Sequence, residues 1–355
     1  MPKSAIDVVS SAFEHTRQQL WAPFRWQQWI RVAVLGLATG EMSSGGGCSS
    51  WKRLGGAPKA PPAHGPFDPG RLWHSIDPAL LASLLLVVLG GALVLILVWV
   101  YVSSISRFML FEAVLRKQAT PFRDGWKRWQ EPGTSFFWWQ LTLSIFGLAV
   151  AAILFVPLLL SVIAVLRNHQ HPGPELLLAF LPMLGLFGLF GLVMVLITVL
   201  GKDFVVPVMA IDGVGVMEGW RRLLGLMKNN LVSYAGYIAM KVVLSIAASI
   251  LFGILSAIAS LVVIVPTAII AVIVTIVIKG SGMGWNEYTV TAAILAVTIV
   301  VVLLLCVIAL VSVPVAVFFP AYAMYFFAER YPALYARLYP PPSSALPIVA
   351  PEPVT

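Results

Sequence analysis

The run from Ala79 to Ser103 carries no charged side chain. At 1.5 Å per residue, a helix of that length crosses a hydrocarbon core of about 30 Å. Four more runs share this character, at 135–166, 175–200, 231–265 and 288–312, broken only by Glu175 and Lys241. Lipid offers the backbone no hydrogen-bond partners, so such runs span as helices or as closed barrels. Barrel strands read as short alternating segments, and none occur here. The runs therefore predict an all-α, polytopic helical membrane protein. With 59% hydrophobic and only 11% charged residues, the 355-residue chain has no composition left for a sizeable soluble domain.

The segment 29–40, WIRVAVLGLATG, is apolar but short, and the small residues up to Gly47 extend it to a sixth span. About six spans then form three hairpins within one polytopic domain, 1–339. A Gly/Pro/Ser-rich stretch, about 43–77, reads as an exposed flexible loop, and 340–355 as a disordered Pro-rich tail. Residues 266–279 are a further apolar run, set off from 231–265 by Pro266 and read as re-entrant or outward-facing. The alternative, a seventh span, places the C-terminus on the opposite side.

Four amphipathic joints flank the hairpins: joint one within 1–31, joint two at about 107–130, joint three at about 203–229 and joint four at 330–337. In joint three, Asp212 is positioned as a helix N-cap. Val216, Trp220, Leu223 and Met227 then recur on one helical face, and Glu218 precedes Arg222 by four residues, a supportive pair. The joints also repeat. Phe13-Glu14 and Pro23-Phe24-Arg25 match Phe111-Glu112 and Pro121-Phe122-Arg123, and Asp124-Gly125-Trp126-Lys127-Arg128 matches Glu218-Gly219-Trp220-Arg221-Arg222. With every joint on one side, 16 of the 23 Lys and Arg residues lie there and 6 on the other, Lys241 being within a span. The positive-inside rule makes the joint side cytoplasmic, with both termini inside.

The net charge of +8 is spread over short loops rather than gathered into a nucleic-acid-binding patch. The spans hold few groups able to do chemistry. Lys241 is the basic residue within an apolar run, and Lys202 and Asp203 end the run before joint three, able to pair with each other or with Lys241. Glu112, flanked by Arg107, Arg116 and Lys117, reads as a solvated ion pair. His169 and His171 make a poor zinc site without a third strong ligand. There is no phosphate-binding Gly-rich loop, no His-Glu-x-x-His and no Gly-x-Ser-x-Gly. No catalytic residue, metal or cofactor is expected. The expected interface is Trp126, Lys127, Arg128, Trp220, Arg221 and Arg222, facing anionic headgroups of the cytoplasmic leaflet. A protein partner or a second copy of the chain is the other expected contact.

The run DFVVPVMAIDGVGVMEGWRRLLGLMKNN, 203–230, resembles a group of bacterial multi-pass proteins that includes the membrane domain found in glycerophosphodiester phosphodiesterases. The catalytic barrel of those enzymes has no counterpart here, so the resemblance implies a lipid-facing or partner-organising module of a bacterial inner membrane, without hydrolase activity. The rival expectation is a permease or exporter of a small or lipophilic substrate, since transporter folds often arise by duplication.

Overall fold

The structure, a computed structural model, describes residues 4–22, 24–40, 78–167, 174–280 and 287–340. The expected loop at 43–77, the two turn histidines and the tail beyond Pro340 lie outside them. Eleven α-helices follow in order among the described residues: α1 (Asp7–Trp21), α2 (Trp26–Thr39), α3 (Pro78–Leu115), α4 (Phe122–Arg167), α5 (Pro174–Leu200), α6 (Val206–Asp212), α7 (Val216–Lys228), α8 (Leu231–Gly280), α9 (Glu287–Val311), α10 (Val313–Ala328) and α11 (Pro332–Leu338). A π-helical turn, Gly201–Val205, joins α5 to α6. Five helices are long and apolar enough to cross a membrane: Ala79–Leu115, Phe122–Pro157, Leu181–Asp212, Leu231–Ile278 and Tyr288–Val311. The chain is an all-helical, multi-pass membrane protein. Of the expected span at 29–47, the described part is the 14-residue α2.

Two local expectations are corrected. Residues 266–279 do not break away at Pro266, because α8 continues through the proline to Gly280. A proline removes one ladder bond and opens the preceding turn. The carbonyl left without its donor is that of Val262, and the Thr267 hydroxyl beside it folds back on the Val263 and Ile264 carbonyls at 2.9 Å, a shared bond within the helix. Asp212 is not an N-cap either. It is the last residue of α6, stopped by Gly213 at φ +65°, and Gly215 holds the N-cap position of α7. Only a residue without Cβ adopts that left-handed conformation cheaply, so Asp-Gly here is a stop signal.

The chain forms two compact units. In the second (20–106 and 239–317), α2 packs against α9, where the Trp29 indole donates to the Leu310 carbonyl at 3.1 Å. The first unit (1–19, 107–238 and 318–355) holds the second, third and fourth joints and the start of the first. Its centre is aromatic. Phe204 of the π turn packs on Tyr237 at 5.0 Å and Phe327 at 5.2 Å, while Tyr237 lies on Phe326 at 4.7 Å and parallel to Tyr322 at 5.1 Å. Each such pair adds roughly 0.5–1.5 kcal/mol beyond its buried area.

Close packing also fixes the π turn. A Cβ built on Gly201 would stand 2.9 Å from the Trp139 ring, whereas one on Gly225, on the outside of α7, would meet nothing within 4 Å. Gly201→Ala is expected to cost about 1–3 kcal/mol, because an indole held between helices cannot give way. Gly225→Ala should instead stabilise by about 0.5–1 kcal/mol through helix propensity. Opposite shifts of the unfolding midpoint in lipid nanodiscs check the pair.

Candidate functional site

The second joint is built around Glu112. Its side chain is only 3% exposed, so it is not the solvated ion pair that its sequence neighbours suggest. Arg116, one helical turn on, lies 3.2 Å away. The stronger partners come from α4: Arg128 donates a charge-assisted hydrogen bond to Oε1, and the Trp129 indole donates to Oε2 at 2.5 Å. Phe108 stacks on Trp129 at 5.7 Å and closes the site from the apolar side. The carboxylate thereby ties the end of α3 to the start of α4.

The third joint repeats the device in an open setting. Arg222 of α7 reaches back to Asp212 at the end of α6 and also donates to Glu218 at 3.0 Å. Arg221 sits 2.7 Å from the other Glu218 oxygen. These guanidinium groups, Arg222 first, hold the Glu218 carboxyl below the usual carboxylate range. Matched arginines 128 and 222 thus each pair with a carboxylate of the preceding helix end. Matched glycines 125 and 219 are both buried, with Met109 Cε 2.7 Å and Val205 Cγ1 3.0 Å from their virtual Cβ atoms. The other correspondence diverges: Phe111 and Glu112 are buried, whereas Phe13 is exposed and Glu14 bonds Arg17 at the surface.

Joint one contributes a residue that sequence reasoning missed. His15 is fully buried, its Nε2 2.9 Å from the Val114 carbonyl and its Nδ1 3.1 Å from the Tyr325 hydroxyl. The carbonyl can only accept, so Nε2 carries the proton and Nδ1 accepts from Tyr325. Burial, and then the charge of Lys117, lowers its pKa to about 4. Val8, Ala12, His15, Thr16, Gln19 and Leu20 form one buried stripe of α1, and that helical spacing was the available signal. Joint four meets joint three through Arg337, which donates to the Ile211 carbonyl at 3.2 Å.

The six expected interface residues do not act alike. Arg128 and Arg222 are committed to internal carboxylates. Trp220 packs on Trp139 at 5.7 Å and Trp126 on Phe122 at 5.5 Å, both partly buried. Lys127 and Arg221 point outward. On α7 the outward face reads Met217, Arg221, Leu224 and Lys228, alternating apolar and cationic along one stripe. Of the span residues singled out, Asp203 accepts from the Tyr237 hydroxyl at 2.8 Å. Lys202 and Asp203 belong to the π turn in the first unit, and Lys241 to the second.

Beside this stripe lies an open groove of about 560 Å³. Ser135, Trp138, Trp139, Thr142, Leu143 and Phe146 of α4 form one wall, and Gly215–Glu218 at the start of α7 the other. Among the described residues no three His, Cys, Asp or Glu side chains are grouped to hold a metal.

The chain belongs to a family of unknown function (DUF7544), whose model matches residues 3–337. No curated protein and no solved structure matches it.

Proposed function

We propose that this member of the family is a non-enzymatic membrane module that gathers anionic lipid headgroups on its joints, at the cytoplasmic face of a bacterial inner membrane. The observation that carries the reading is the outward stripe of α7, where Met217 and Leu224 alternate with Arg221 and Lys228. A helix that lies in the interface plane needs such a surface: apolar side chains to enter the acyl boundary and cations to meet phosphate. Each Lys or Arg near an anionic surface contributes about 1 kcal/mol. Arg123 and Lys127, both exposed at the start of α4, extend the charge. The resemblance of 203–230 to the membrane domain of glycerophosphodiester phosphodiesterases points toward lipid in the same way.

The test uses the full chain in nanodiscs, with energy transfer from its tryptophans to dansyl-labelled phosphatidylglycerol or phosphatidylcholine. Transfer to the anionic probe should be about two- to three-fold higher at low salt, fading as screening shortens the reach of exposed charges. The variant R123Q/K127Q/K228Q should lose that preference. Equal transfer to both probes in the unaltered protein overturns the reading.

A rival reading, transport of a small or lipophilic substrate, draws on Asp203. Its carboxylate sits in a π turn inside the candidate span Leu181–Asp212, and π turns recur where helices carry function. Substrate flux into proteoliposomes that disappears in Asp203→Asn would favour it.

A further inference from the structure

We propose that the groove between α4 and α7 seats one zwitterionic aminophospholipid, with its ammonium on Glu218, its phosphate on Arg221 and an acyl chain along Trp138, Leu143 and Phe146. This rests on the reading of the joints as a lipid-engaging surface and names the lipid that one site selects.

The groove has the polarity gradient of such a molecule. Along the α4 wall Ser135 stands at one end and Leu143 and Phe146 at the other, and the α7 wall brings Glu218 to the groove. From Ser135 to Phe146 the helix rises about 16 Å, enough to follow the upper half of an acyl chain. The apolar wall belongs to the candidate span Phe122–Pro157, so a chain lying there continues into the bilayer. Trp138 and Trp139 sit between the two ends, the level at which amphipathic rings favour the membrane interface.

The charges at the mouth decide which headgroup fits. Glu218 bonds Arg221 and Arg222, and Arg222 also bonds Asp212. Two carboxylates and two guanidinium groups cancel in this cluster, so the net charge that draws anionic headgroups to the joints comes from Lys228, Arg123 and Lys127, and an anionic headgroup at the groove meets Glu218 directly. A headgroup carrying both signs satisfies both partners. Arg221 is 80% exposed, and water screens an ion pair that open, so it exchanges Glu218 for phosphate at little cost. A primary ammonium then supplies N–H donors to the vacated carboxylate oxygen, which a quaternary choline group lacks.

The test places the full chain in nanodiscs of equal phosphatidylethanolamine, phosphatidylglycerol and phosphatidylcholine, each doped in turn with its own acyl-diazirine photoprobe, and maps cross-links by peptide mass spectrometry. The ethanolamine probe should label the Ser135–Phe146 segment at least three-fold more than either other probe. In Glu218→Gln that preference should fall to near one. In Leu143→Trp, which fills the floor of the groove, labelling of the segment should drop five-fold while the span Tyr288–Val311 labels as before. Equal or greater labelling by the glycerol probe in the unaltered protein, needing no variant, overturns the proposal, as does a preference that survives Glu218→Gln. The two readings separate cleanly. Phosphatidylglycerol enrichment with no ethanolamine preference in the segment removes the groove and keeps the surface; ethanolamine-selective labelling that is unchanged in R123Q/K127Q/K228Q, with no glycerol enrichment, does the reverse.

Discussion

Glu112→Ala should lower the stability of the first unit by about 3 kcal/mol, the largest effect expected of any single surface-to-core contact at the joints. The reason lies in what is left behind. Trp129 loses the acceptor of its indole N–H, and that donor is stranded against the Phe108 ring. Arg128 loses its carboxylate but is 52% exposed, so water recovers part of its charge and keeps the loss short of that for a fully buried pair. Glu112→Gln keeps an acceptor for the indole and should cost roughly half as much. The matched pair gives the control: Asp212 and Arg222 are both more open, so Asp212→Ala should cost about 1 kcal/mol or less. Unfolding midpoints in nanodiscs at one scan rate rank the variants, and a double-mutant cycle with Arg128→Ala isolates the ion pair. Equal losses for Glu112→Ala and Asp212→Ala would show that burial does not set the strength of these links.

The same comparison explains what the sequence could and could not reveal. Spans were legible because lipid imposes a length and a polarity on every helix that crosses it, and five described helices meet both. The face of α7 was legible for a similar reason: Val216 and Leu223 are buried where the helical period places them. Local signals failed when the deciding partner was distant. Glu112 has cationic neighbours at i+4 and i+5, yet the residues that bury it, Arg128 and Trp129, arrive from the next helix. Asp212 beside a glycine reads equally as a helix start or a helix stop, and only the positive φ of Gly213 settles which. Pro266 promises a break, but it removes only one ladder bond, and the helix runs on through it in an apolar run where the backbone has no other partners. The groove was invisible because its two walls lie some seventy residues apart along the chain.

His15 was the hardest residue to find, since its partners Val114 and Tyr325 are 99 and 310 positions away. Its burial makes a second large prediction. The folded protein holds the imidazole neutral, with a pKa of about 4 against 6.5 when unfolded. Between those values the unfolded chain binds more protons, so the contribution of His15 is complete above pH 6.5 and drains away as pH falls toward 4. The full change is on the order of 3 kcal/mol, or about 5 °C in the unfolding midpoint. Lys117 and the carbonyl of Val114 face the ring with opposite effects: the cation opposes protonation, whereas the hydrogen bonds to Val114 and Gln19 favour the protonated ring and are outweighed by burial. Other groups titrate over the same range, so the measurement is a difference. His15→Gln can still donate to Val114 and accept from Tyr325 but cannot take up a proton. At pH 7.5 the variant should melt a few degrees below the unaltered protein, and by pH 4.5 the two curves should meet or cross. Parallel curves across that range would mean that the imidazole stays solvated, and that α1 is not locked to α3 and α10 through a neutral histidine.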